Sequence, residues 1–220
     1  METGMFRLLL RVLCLLCVAV PPLAHGQQWG EIVSLRGPIK EDLYLAGGQV
    51  EVSGRVDGDV SAAGGRITID DSVTGDVAVF GGTVHLRARV QDDARLTAGE
   101  VTVSGQVGDD LLAAGGNVTL SPETRIGGRA WLAGGRVEVG GRIGKGLKAA
   151  GGEIVIAGEI LGDAELLGET IVIHPGTIIH GQLRYHSPNE AKIDPGARIL
   201  GSVVAAPLDA RPPRAGHTCG

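Results

Sequence analysis

Aspartate recurs in this chain at a fixed step. Asp42, Asp59, Asp76, Asp93 and Asp110 each follow the last by 17 residues, and Asp163 rejoins the series later. Asp92 and Asp109 stand directly beside two of them. Carboxylates in such register could do two things. They could share a hard cation such as calcium, or accept backbone N–H bonds at tight turns. Stacked at about 5 Å, they would repel one another. The calcium-binding nonapeptide pattern GGxGxDxUx does not occur, so the column is read as tying turns. His174, His180 and His186 recur every six residues, a spacing that could be read as metal ligands. His174 precedes Pro175 in a turn and His186 lies in an irregular stretch, so surface histidines are expected. The sequence contains no P-loop, GxSxG, CxxC or dinucleotide fingerprint. No residue is assigned a catalytic, cofactor-binding or metal-binding role, and no cofactor is expected.

What positions these residues is a repeat. Units begin at residues 42, 59, 76, 93 and 110, then at 129, 146, 163 and 182. Two of the units have 19 residues and contain the insertions "SPET" (121–124) and "HPGT" (174–177), whose prolines suit surface turns. Apolar residues fall at places 2, 4, 9, 11 and 15 of each unit. In the unit 59–75 these are Val60, Ala62, Ile67, Ile69 and Val73. A step of two within each stretch is the period of a strand with one face buried. Glycine pairs such as Gly47-Gly48, Gly64-Gly65 and Gly81-Gly82 mark one corner, where positive φ and close backbone approach are expected.

Three short strands and three corners per unit make a triangular coil. One coil cannot bury its apolar side alone, but stacked coils can. The fold class expected is therefore all-β, a single right-handed parallel β-helix with about 17 residues per coil. A left-handed β-helix needs apolar residues every six places, and these columns break that rule. The rod should be on the order of 40 to 45 Å long.

Composition fits this reading. Glycine accounts for 37 of 220 residues, aromatics for only 3%. Small inward residues fill a narrow lumen, which leaves no room for a large aromatic core. At 43% apolar and 20% charged the chain is not compositionally disordered. Tyr44 and Trp131 sit at the third place of their units and should point outward, and Phe80 lies beside a corner. Such aromatics could form a contact patch; isolated surface positions are the expectation.

The first 26 residues differ. Arg7 and Arg11, the run "VLCLLCVAV", and small residues Ala24 and Gly26 follow the three-part order of a secretory signal peptide. The apolar run falls short of the roughly 20 residues a spanning helix needs. The alternative is an uncleaved anchor in the inner membrane. Without residues 1–26 the chain keeps 18 basic and 24 acidic residues, a net charge of −6, and one cysteine, Cys219. No basic patch points to nucleic acid. The expected organisation is a signal peptide (1–26), a degenerate N-terminal coil (27–41), the β-helix (42–206) and a disordered tail (207–220).

The repeated "GDV" and "GGxVxV", with "IHPGTIIHG" and "IDPGARILG", resemble the bactofilin family, polymer-forming cytoskeletal proteins of bacteria, over about residues 42–201. The resemblance implies a right-handed β-helix that polymerises end to end without nucleotide, hence a self-associating scaffold. Bactofilins are cytoplasmic. The export signal here instead places the scaffold in the periplasm or cell envelope. The expected partner is a second copy of the chain, with the cell wall or inner-membrane surface as a further contact and no small-molecule substrate. The missing helical cap at either end fits, because an uncapped β-helix end presents unpaired N–H and C=O groups. An exported binding module for cell wall or surface polysaccharide is the second reading. A pectin-lyase-like enzyme is the third, disfavoured because the additions to each coil are too short to wall a cleft.

Overall fold

Alternation at period two becomes strand wherever it occurs. In the computed structural model, which describes residues 27–206, the repeat forms a parallel β-solenoid of about ten turns. The signal segment 1–26 and the tail 207–220, with Cys219, lie outside the described residues. Each full coil contributes one ten-residue strand, such as Val60–Ile69, Val77–Leu86 and Leu147–Ile156, and all pair in parallel. The register is the sequence repeat itself. Val60 pairs with Val77, 17 residues on, and across the "SPET" insertion Leu111 pairs with Ala130, 19 residues on. The degenerate first coil is in register too, since strand Gln27–Leu35 pairs Gln27 with Tyr44.

A second sheet covers the third side. Its strands are two residues long, including Arg89–Val90, Gln106–Val107, Arg125–Ile126 and Arg142–Ile143. Single bridges extend it through Ile39, Val56 and Val73. The five apolar columns all face the lumen. Val60, Ile67, Ile69 and Val73 are fully buried and Ala62 nearly so. Each fully buried Val or Ile stabilises the rod by about 1.5 to 3 kcal/mol relative to exposure.

Two details differ from the sequence expectation. The first two strands of each coil are one continuous strand bent at the glycine pair, because backbone pairing with neighbouring coils continues through the corner. Positive φ is not the reason for glycine there. Among the described residues only Gly37 and Gly176 have it, at 97° and 84°. The reason is proximity: a Cβ on Gly64 would lie 2.4 Å from the carbonyl oxygen of Gly47 in the coil below. A side chain would force the stacked bends apart.

The insertions also do more than turn. Thr124 and Thr177 end them and are buried. Their hydroxyls donate to the carbonyls of Val103 at 2.6 Å and Ile156 at 2.9 Å. Each buried hydroxyl is thereby satisfied, as a lumen position requires. The last turns are irregular, as read: Leu183–His186 stacks on the strand before, Lys192–Ile193 reaches back to Val172 and Ile173, and Val203–Ala206 closes the stack. Among the described residues no helix is long and apolar enough to cross a membrane.

Candidate functional site

The aspartates form a ladder between coils. The Asp76 N–H donates to Asp59 Oδ1 at 2.9 Å, Asp93 N–H to Asp76 Oδ1 at 3.1 Å, and Asp110 N–H to Asp93 Oδ1 at 3.0 Å. Asp42, Asp110 and Asp163 accept in the same way from Asp59, Arg129 and Gln182. In return, Val60 N–H donates to the Asp76 carbonyl at 2.8 Å and Val77 N–H to that of Asp93 at 2.9 Å. Each step is thus closed by a backbone bond and a charge-assisted bond. The turn-tying reading holds, with one refinement: the N–H belongs to the next coil rather than to the same turn.

The glycine just before the first residue of the next unit belongs to this device. A Cβ on Gly75 would sit 1.9 Å from Asp59 Oδ1, and one on Gly128 2.2 Å from Asp110 Oδ1. Glycine leaves the space that the carboxylate of the previous coil occupies. Two coils carry aspartate at that place instead. There Asp92, Asp93 and Asp109 bring one carboxylate oxygen each to within 4.8 Å of one another. This is the one grouping of potential metal ligands that tight among the described residues.

Chain cations already serve most of this cluster. Arg95 bridges Asp76 Oδ2 at 3.0 Å and Asp93 Oδ2 at 2.8 Å, and Lys145 Nζ meets Asp109 Oδ1 at 3.1 Å. Asp76, then burial, then Asp93, Asp109 and Asp59 hold the Asp92 carboxyl above its ordinary pKa. The Arg95 guanidinium is held above its usual value, first by its bond to Asp76. Calcium takes six to eight oxygens. Here Asp93 already accepts an N–H at one oxygen and Arg95 at the other, and Asp109 meets Lys145, so the arrangement serves the stack.

The histidines are not brought together. His180 Nε2 lies 3.0 Å from Glu159 Oε1, His174 is exposed, and His186 is half-buried. The aromatics are apart as well. Tyr44 and Trp131 occupy the same column, separated by Ser61, Ala78, Arg95 and Leu112, and both are half-buried. Phe80 is exposed alone in mid-rod.

Two regions on the surface are chemically distinct from this edge. One is a groove of 610 Å³ along the third side, lined by arginine, glutamine and glycine together with Val90, Val107 and Ile126. The sequence reading passed over it, although its wall was visible as arginine at the place before the last apolar column. The other is the pair of ends. Ile32 at the first coil, and Ile193, Leu200, Val203 and Val204 at the last, are exposed large apolar residues. No family model, curated protein or solved structure matches the chain.

Proposed function

We propose that this protein is a non-catalytic scaffold whose rods join through their terminal coils into polymers in the bacterial cell envelope. The observation that carries this is where apolar surface lies. Of the exposed large apolar residues among the described residues, all but Phe80 belong to the first or last turns. Those same turns end in strand edges that pair on one side only, Gln27–Leu35 at one end and Val203–Ala206 at the other, among the described residues. An apolar surface beside unpaired N–H and C=O groups is the template to which another coil adds. The bactofilin resemblance supports the same reading, and the leader pattern of residues 1–26 supports export.

Sedimentation velocity of the purified protein over a wide concentration range tests it. Species that lengthen with concentration are expected, and a stable monomer at high concentration overturns the reading. Fractionation of a tagged protein checks the compartment. Recovery from the cytoplasm would remove the envelope from the proposal while leaving the scaffold.

A further inference from the structure

We infer that the groove on the third side binds an acidic polysaccharide, laid along the rod with its carboxylates on Arg89, Arg125 and Arg142. This stands apart from assembly through the ends. The wall is a ladder: Arg89 pairs with Gln106, Gln106 with Arg125, and Arg125 with Arg142 on successive coils. All four are exposed. Gly108, Gly127 and Gly144 line the groove beside them, together with Val90, Val107 and Ile126. These glycines are fixed by stacking, because a Cβ on Gly127 would lie 2.1 Å from the Gly108 carbonyl oxygen. No carboxylate lines the groove, although the chain carries a net charge of −5.

The same side of the rod shows what the closed alternative looks like. At the Val56 coil, Arg55 pairs across the face with Asp57 at 2.6 Å. In the groove, the places equivalent to Asp57 hold Gln91, Gly108, Gly127 and Gly144. Arg89 and Arg125 consequently have no acid partner among the described residues, and Arg142 alone reaches one, Glu159, at 2.9 Å. A guanidinium ladder with its internal acids removed presents forks suited to bidentate carboxylates.

Spacing selects the ligand class. Arg125 and Arg142 stand one coil apart, roughly 4.8 Å, whereas Arg89 stands two coils from Arg125, roughly 9.6 Å, with Gln106 between them. A uronate chain carries hydroxyls between its carboxylates, which matches arginines interrupted by the Gln106 carboxamide. An extended acidic peptide repeats same-side carboxylates at roughly 6.6 Å and falls out of step. Single-stranded nucleic acid needs aromatic platforms, and none lines the groove. Gln91 and Gln106 add carboxamides that can both donate to and accept from hydroxyls.

Polygalacturonate is the probe, titrated calorimetrically into the purified protein, with dextran, polyglutamate and a single-stranded oligonucleotide as comparators. Binding of polygalacturonate above all three, weakening with salt, is expected. The double variant Arg89→Gln/Arg125→Gln should lose about tenfold or more of that affinity, with an unchanged melting temperature. Arg66→Gln, an exposed arginine on another side, should bind as the parent does, and so should Val203→Asp at the end of the rod. Equal binding by the double variant, preference for polyglutamate or the oligonucleotide, or no binding at all overturns the inference. Filament formation by the double variant would leave the scaffold reading intact in each of those cases.

Discussion

Leu183 and Val203 occupy the same place in neighbouring coils, paired in register. Leu183 is fully buried, whereas Val203 is 47% exposed. Residue type does not separate them, since both are aliphatic residues in one inward column. The difference is that a coil stacks on Leu183, and among the described residues none stacks on Val203. In a solenoid, burial is conferred by the neighbour. The middle of the rod is saturated with neighbours, and among the described residues each terminal coil lacks one. On the proposed reading, a second rod supplies it.

The largest expected contrast comes from placing one charge in each region. Val84→Asp puts a carboxylate in the lumen, with a cost of several kcal/mol that should abolish cooperative melting. Val203→Asp should leave the melting temperature within a few degrees of the parent and abolish lengthening in the ultracentrifuge. Unfolding by both variants alike would erase the distinction between middle and end.

Next in size is the aspartate edge, which stitches the middle. Gly75→Ala drives a methyl group into Asp59 Oδ1 and should cost on the order of 1 to 3 kcal/mol in denaturant unfolding. In an Asp59→Gly background the same substitution should cost clearly less, because its principal obstacle is gone. Equal costs in the two backgrounds would mean that the glycine serves the backbone alone. Asp93→Ala, which strands the Asp110 N–H and leaves Arg95 with Asp76 alone, should cost about 1 to 3 kcal/mol.

The smallest effect is electrostatic. Acidic neighbours raise the Asp92 pKa, so the folded state holds this proton more tightly than the unfolded chain does. Ionised Asp92 therefore opposes folding, and stability contributed by its protonation is lost as pH rises through the raised value. Asp92→Asn should be slightly more stable than the parent at neutral pH. The gain should fade as pH drops through the ordinary carboxylate range, and should shrink in high salt. A gain that persists at low pH would exclude charge as its cause.

Columns were the legible part of this molecule. Val60, Ala62, Ile67, Ile69 and Val73 face the lumen because period two admits only two faces, and the turn spacing chooses between them. The stacking of Asp59 on Asp76 was legible for the same reason. What escaped the sequence depends on distances between coils. The carbonyl of Gly47 beneath Gly64, the hydroxyl of Thr124 turned inward, and the Asp59 carboxylate beneath Gly75 are contacts between stacked turns. A linear pattern carries no height, so glycine at these places reads as a turn residue when it is a spacer. The arginine wall escaped for a different reason. Arg89 and Arg125 lie 36 residues apart and become neighbours of one groove only after two coils are stacked.

End-to-end stacking is most directly tested by cryo-electron microscopy of the purified protein at high concentration. The expected result is unbranched filaments one rod wide, with coil stacking of roughly 4.8 Å running unbroken through each junction, and single rods only for Val203→Asp. Single rods for the parent protein, or filaments joined through the sides with their terminal coils free, would contradict it.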